Sequence, residues 1–184
     1  MLSREESYIE LKKYVKNKNL LKHMLSVEAV MNGLAEHFGE DKELWGLTGL
    51  LHDIDYDQTK DSPEIHSLKG AEILGSLDFP EDMIYAVKVH NCIHGLPRKS
   101  LLDKALYAAD PVSGLVVAGA LVKPDKKLEN VDIVFLSKKF REKSFAKGAN
   151  REQIKTCSEL GLELEDFLII SLNSMKKIAV ELEL

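Results

Sequence analysis

Apolar residues return every three or four positions along almost the whole chain, and the two-residue alternation of a half-buried strand is nearly absent. No Asn-Gly hairpin turn and few β-branched clusters occur, so the pattern predicts an all-α protein. A first helix is expected from about Ser3 to Val15, with Ser3 and Glu6 as a capping box. A second runs from Lys18 to Phe38 and stops at Gly39; its stripe of Leu20, His23, Val27, Val30, Leu34 and Phe38 turns inward. A third spans Asp41 to His52. Ser62-Pro63-Glu64 supplies a cap and an N-terminal proline for a fourth, continuing to about Leu77. Phe79-Pro80-Glu81 opens the helix that leads to His90. Ser100 with Asp103 begins another that reaches Asp110, where Pro111 is expected to end or kink it before helix resumes to Val122. The small residues from Val116 to Ala120 fit close helix packing. Helices over Val131–Phe140, Arg151–Leu160 (capped by Asn150) and Leu164–Leu182 complete the reading. No linker, repeat or low-complexity tract interrupts it, so residues 1–184 are expected to form one compact multi-helix bundle.

Polar residues break the apolar stripes at a few places. The run Leu50-Leu51-His52-Asp53-Ile54-Asp55 ends an apolar stretch with an imidazole beside a carboxylate, a costly pair to bury. A divalent metal removes that cost, since neutral imidazole nitrogen and carboxylate oxygen are ordinary ligands. Adjacent helical side chains diverge by roughly 100°, so the two converge on one ion best at a fraying helix end. The plain alternative is a helix C-terminus with a charged tail. Four other residues bear on the choice. His23 faces inward on its stripe, His66 shares one with Gly70, Ile73 and Leu77, and His90 shares one with Met83 and Val87. Asp110 follows Leu106 by one turn. Each alone has a dull explanation, a hydrogen-bonded interior histidine or a cap at Pro111. Together they would bury several polar groups side by side, and a shared metal satisfies them at once.

The order His, His-Asp, His, His, Asp resembles the HD-domain superfamily of metal-dependent phosphohydrolases, in particular its small prokaryotic members. The signature falls on His23, His52, Asp53 and Asp110, and the two histidines added in two-metal members fall on His66 and His90. The resemblance covers roughly residues 18–122, leaving 123–184 as a helical extension. It implies an HD-type helical core and one or two divalent ions. A His-rich shell favours Mn, Fe or Co, with Mg as the hard alternative. Asp53 would bridge two ions about 3.5–4 Å apart, and activated water would attack a phosphate ester. Many two-metal relatives carry a lysine soon after the pair. This chain has Asp55, Tyr56 and Asp57 there, and the general base is unassigned. Some relatives with the same ligands hold two irons and activate dioxygen, and a metal-stabilised sensor is a third class.

Acidic residues outnumber basic ones, 30 to 25, giving net charge −5. That opposes a general nucleic-acid binder and leaves a small phosphorylated substrate as the expected partner. Lys69 is one candidate cation for it. The basic run from Lys138 to Lys147 is another source, as a solvated face or as a lip over the cleft using Arg141, Lys147 or Arg151. Small relatives carry a stretch like Phe145–Glu152. Cys92 and Cys157 have no zinc-knuckle or disulfide spacing, and Cys92 is expected to be buried. His94 is expected at the cleft rim or exposed, and His37, beside Gly39, has no assigned role. Met1–Glu6 lacks an apolar signal core and no membrane-length apolar span occurs, so a cytoplasmic location is expected.

Overall fold

A computed structural model describes residues 1–184, entirely as helices and connecting turns, with no strand. The helices are α1 (Arg4–Tyr14), α2 (Lys18–Phe38), α3 (Lys42–Leu51), α4 (Tyr56–Thr59), α5 (Leu68–Ser76) and α6 (Glu81–His90). There follow α7 (Leu101–Leu121), α8 (Ile133–Arg141), α9 (Arg151–Lys155), α10 (Leu164–Lys176) and α11 (Ala179–Leu182). Capping residues set several boundaries. Ser3 with Glu6 and Ser100 with Asp103 close capping boxes, Asn17 and Asp41 cap α2 and α3, and Gly39 ends α2 at φ 71°.

The long helices α2 and α7 are the frame, with α3, α6 and α10 packed on them around one continuous apolar core from Leu11 to Leu182. Two glycines allow the closest crossings. A Cβ at Gly49 of α3 would lie 2.9 Å from the backbone of Val27 and Glu28, so α2 and α3 touch main chain to main chain. A Cβ at Gly33 would collide with Ser174 of α10. The small residues late in α7 pack on α8 and the turn before it, where Leu136 and Val131 respectively approach Gly119. At the N-terminus, Arg4 pairs with the buried Glu28.

Four expected boundaries differ. The helix after Ser62-Pro63 does not start there. Residues 60–67 form successive turns and α5 begins only at Leu68, because buried Asp55 accepts a hydrogen bond from the Ser67 amide. Ser67 is held at φ 70°, a conformation that interrupts a helix. At Pro111, by contrast, nothing stops: α7 passes through it unbroken. The missing proline N–H leaves the Tyr107 carbonyl without its helical partner, and Gln153 Nε2 donates to that oxygen at 2.8 Å. The final segment is divided at Lys177–Ile178 into α10 and α11, and the stretch behind Asn150 is one α-helical turn followed by a 3₁₀ turn. No helix is long and apolar enough to cross a membrane.

Candidate metal centre

His23 comes from mid-α2, His52 and Asp53 from the end of α3, and His66 from the turn before α5. His90 is the last residue of α6, and Asp110 stands at the middle of α7. All six side chains meet. His23 Nε2 lies 3.2 Å from Asp110 Oδ1 and 3.8 Å from Asp53 Oδ2; His52 Nε2 lies 3.5 Å from Asp53 Oδ2 and 3.9 Å from Asp110 Oδ1. On the other side, His66 Nε2 and His90 Nε2 are each 3.3 Å from Asp53 Oδ1. Asp53 therefore turns one oxygen to His23 and His52 and the other to His66 and His90. The expected stripe for His66 is corrected: it sits in a turn, and the Asp55–Ser67 bond, not helical periodicity, aims it inward.

The outer nitrogens of the four rings are all engaged. Nδ1–H of His52 donates to the Gly49 carbonyl at 2.8 Å, and that of His90 to the Val87 carbonyl at 2.6 Å. Ser113 Oγ donates to the Asp110 carbonyl and so accepts from His23 Nδ1–H at 3.1 Å. Asp55 accepts from His66 Nδ1–H at 3.2 Å. When a ring is neutral, as a metal ligand must be, these partners select the tautomer whose Nε2 lone pair points into the cluster. His52 Nε2 is fully buried and has no hydrogen-bond partner at all. A lone pair left so would be costly in a protein interior, and a cation is the partner it suits. The residues fit one or two divalent ions: two groups, His23–His52–Asp110 and His52–Asp53–His90, have ligand atoms within 4.8 Å of one another.

Electrostatics agree. Burial would raise Asp53, yet the surrounding His52, His66 and His90 hold it well below the usual carboxylate range. Burial also raises Asp110, but His23 and His52 bring it below its ordinary value. Burial lowers His52. It lowers His66 too, but hydrogen bonds to Asp53 and Asp55 prevail and push that ring up to about 10. His23 also ends above its ordinary value, since Asp110 outweighs its burial.

Above the cluster is a cleft of about 420 Å³ walled by Leu20, Tyr56, Asn91, Cys92 and Gln153 together with every ligand side chain but the fully buried His52. Asp55, Asn91 and Gln153 were not singled out as supporting residues by sequence. Asn91 donates to the carbonyls of Pro63 and His66, and His94 Nε2 also meets the His66 carbonyl at 2.8 Å, so both clamp the His66 turn. Cys92 is exposed on the cleft wall rather than buried, because α6 ends at His90 and the thiol falls in the following turn. Neither acidic residue after the pair is a free base. Asp55 is fully buried and engaged by Ser67 and His66, while Asp57 accepts from the amides of Lys16 and Asn17 ahead of α2.

None of the four expected substrate cations lines the cleft: Lys69, on α5, is not among its wall residues, and Arg141, Lys147 and Arg151 line a different groove. Arg151 has no free donor to offer, since its guanidinium is wrapped by the carbonyls of Lys139, Phe140, Phe145, Ala146 and Ala149.

The chain is similar to proteins named Ribonuclease Y. The one from Desulfotalea psychrophila is 28% identical over 137 residues, covering 73% of this chain and 26% of that protein. The one from Clostridium kluyveri is 30% identical over 169 residues, covering 90% of this chain and 32% of that protein. The chain thus spans about a quarter to a third of the length of these curated relatives. Its fold is shared with the crystal structure of a predicted HD superfamily hydrolase involved in NAD metabolism from Clostridium acetobutylicum. The TM-score is 0.53 at 20% identity, over 96% of this chain and 98% of that one. A family model described as the HD domain matches residues 20–115, a segment that contains all six clustered side chains. The protein belongs to the HD domain family.

Proposed function

We propose that the protein hydrolyses a phosphate ester, as a phosphatase or phosphodiesterase acting on a nucleotide or related small phosphorylated metabolite. The observation that carries this reading is the division of Asp53: each carboxylate oxygen faces its own pair of imidazoles. His23, His52, Asp110 and one Asp53 oxygen would hold one ion; His66, His90 and the other oxygen would hold a second. A shell with four imidazoles suits Mn²⁺, Fe²⁺ or Co²⁺ better than Mg²⁺. Such ions supply Lewis acidity toward a phosphoryl oxygen and make water acidic enough to attack near neutral pH.

The protein's own contribution is positioning. Gly49, Val87, Ser113 and Asp55 hold the rings in one tautomer, so no reorganisation is needed when charge develops. Tyr56, its ring edge-on to His66 at 5.2 Å, and Leu20 give the cleft apolar wall for the organic part of a substrate. The wall carries no lysine or arginine, and Asn91 spends both side-chain N–H groups on the Pro63 and His66 carbonyls, so recognition of the scissile phosphate falls on the ions and on the one Gln153 N–H not given to Tyr107.

The test is elemental analysis together with a phosphoester panel after reconstitution with Mn²⁺, Fe²⁺, Co²⁺ or Mg²⁺. His52→Ala and Asp53→Ala should stay folded, lose metal and fall to the activity of metal-free protein. Undiminished hydrolysis by metal-free Asp53→Ala protein would overturn the reading. Oxygen-dependent turnover of the iron form in place of hydrolysis would favour an oxygenase, and bound metal with no turnover a sensor.

A further inference from the structure

The net charge of −5 conceals a strong segregation. Residues 138–155 hold seven lysines and arginines against two glutamates, a net of +5, which leaves −10 on the rest of the chain. Five of the seven, Arg141, Lys143, Lys147, Arg151 and Lys155, line a groove of about 750 Å³, larger than the metal cleft, together with Gly148, Asn150 and the single carboxylate of Glu152. Lys155 pairs with Glu152. Arg141, Lys143 and Lys147 have no carboxylate within ion-pair distance, although the protein has an acidic excess to offer.

The backbone of the groove is built for the same sign of ligand. Arg151 draws five carbonyl oxygens from the segment 139–149 toward its guanidinium. Those oxygens are the groups that would repel an anion. The amides of Lys143, Ser144, Ala146, Lys147 and Gly148 donate to nothing within the protein. Ala146 is held at φ 45°, a conformation uncommon for a residue with a side chain, and the Arg151 clamp fixes it. A loop with its carbonyls gathered to one cation, successive amides free and three unpaired cationic side chains beside them is a phosphate-recognising arrangement.

We propose that this groove is a second anion site, distinct from the metal cleft, for a ligand bearing several adjacent phosphates. A single phosphate would engage only part of the cationic lining. Either the oligophosphate of a free nucleotide or the consecutive phosphodiesters of a single strand presents the required spacing of charge. The two sites share α9, which places Gln153 on the wall of the metal cleft and Lys155 on that of the groove. Docking at the groove is independent of the hydrolytic reading; delivery of a phosphate from groove to cleft rests on it.

The experiment is titration of the full metal-loaded chain with inorganic triphosphate, a nucleoside triphosphate, a labelled oligouridylate and anionic vesicles. The variant is Arg141→Gln/Lys143→Gln/Lys147→Gln, and the matched control is Lys18→Gln/Lys42→Gln/Lys60→Gln. Triphosphate should bind wild type in a salt-dependent way, and the groove variant should lose about tenfold or more of that affinity. The control should bind as wild type, and Arg141→Lys/Lys143→Arg/Lys147→Arg should retain binding. Tighter binding of the oligouridylate than of the nucleotide would assign the strand as the source, and the reverse order the free nucleotide. Lack of triphosphate binding by wild type, equal loss in groove variant and control, or binding of vesicles alone would each overturn the proposal. Hydrolysis of a small monoester should be unchanged in the groove variant, so failure of the cleft chemistry registers separately from failure of the groove.

Discussion

Asp55 Oδ1 accepts from His66 Nδ1–H at 3.2 Å while Asp55 Oδ2 accepts from the Ser67 amide at 2.9 Å, so one buried carboxylate holds both the ring and the turn that carries it. Asp55→Asn would set an amide N–H₂ against one of these two donors. The expected result is about 10–100-fold weaker metal binding at the His66–His90 side. Titration against a competing chelator should show the His23–His52–Asp110 side much less affected, and equal loss at both sides would count against the assignment.

Metal uptake should release protons at neutral pH. His66 in the metal-free protein is pushed up to about 10, so at pH 7 the ring carries protons on both nitrogens. An incoming ion must displace the one on Nε2. Apparent affinity should therefore fall as pH falls, by about tenfold per unit for each proton displaced. Calorimetric titration in two buffers of different ionisation enthalpy measures the number directly, and a value of zero would contradict the protonation state.

Gly49→Ala should damage both stability and metal binding. The new Cβ would sit 2.9 Å from the Glu28 backbone, and no side chain can move aside to relieve it. The α2–α3 crossing must open, at about 1–3 kcal/mol, or roughly 2–4 °C in Tm per kcal/mol at this size. Because α2 carries His23 and α3 leads into His52, a thermal melt and a metal titration should shift together.

Arg151→Lys keeps the charge but not the fork that gathers five carbonyls. The loop 142–150 should loosen, with a stability loss of about 1–3 kcal/mol. Limited trypsin digestion should then cut faster after Lys143 and Lys147, a difference absent if Arg151 has no structural part.

Sequence was most legible where a functional group obeyed helical periodicity. His23 and His90 lie on stripes whose other members are core residues, and the caps at Asn150, Ser100 and Ser3 are local events. It misled where a partner distant in the chain overrode a local signal. Ser62-Pro63 has good helix-start chemistry, yet buried Asp55 claims the Ser67 amide and postpones α5. Pro111 has good helix-stop chemistry, yet Gln153 supplies the missing donor. The arginine in Phe145–Glu152 reads as a free cation because the carbonyls that surround it belong to the backbone, which sequence spells identically everywhere. Net charge says little of where cations gather, because it averages a basic segment into an acidic whole.

The amide that Gln153 lends to Tyr107 gives residues beyond 122 a stake in the geometry of the ligand cluster. One turn of α7 separates the propped carbonyl from Asp110, so trimming the chain after its signature segment would leave that helix leaning without its splint. A fragment cut to the bare motif would keep every ligand in its sequence and still assemble the centre poorly.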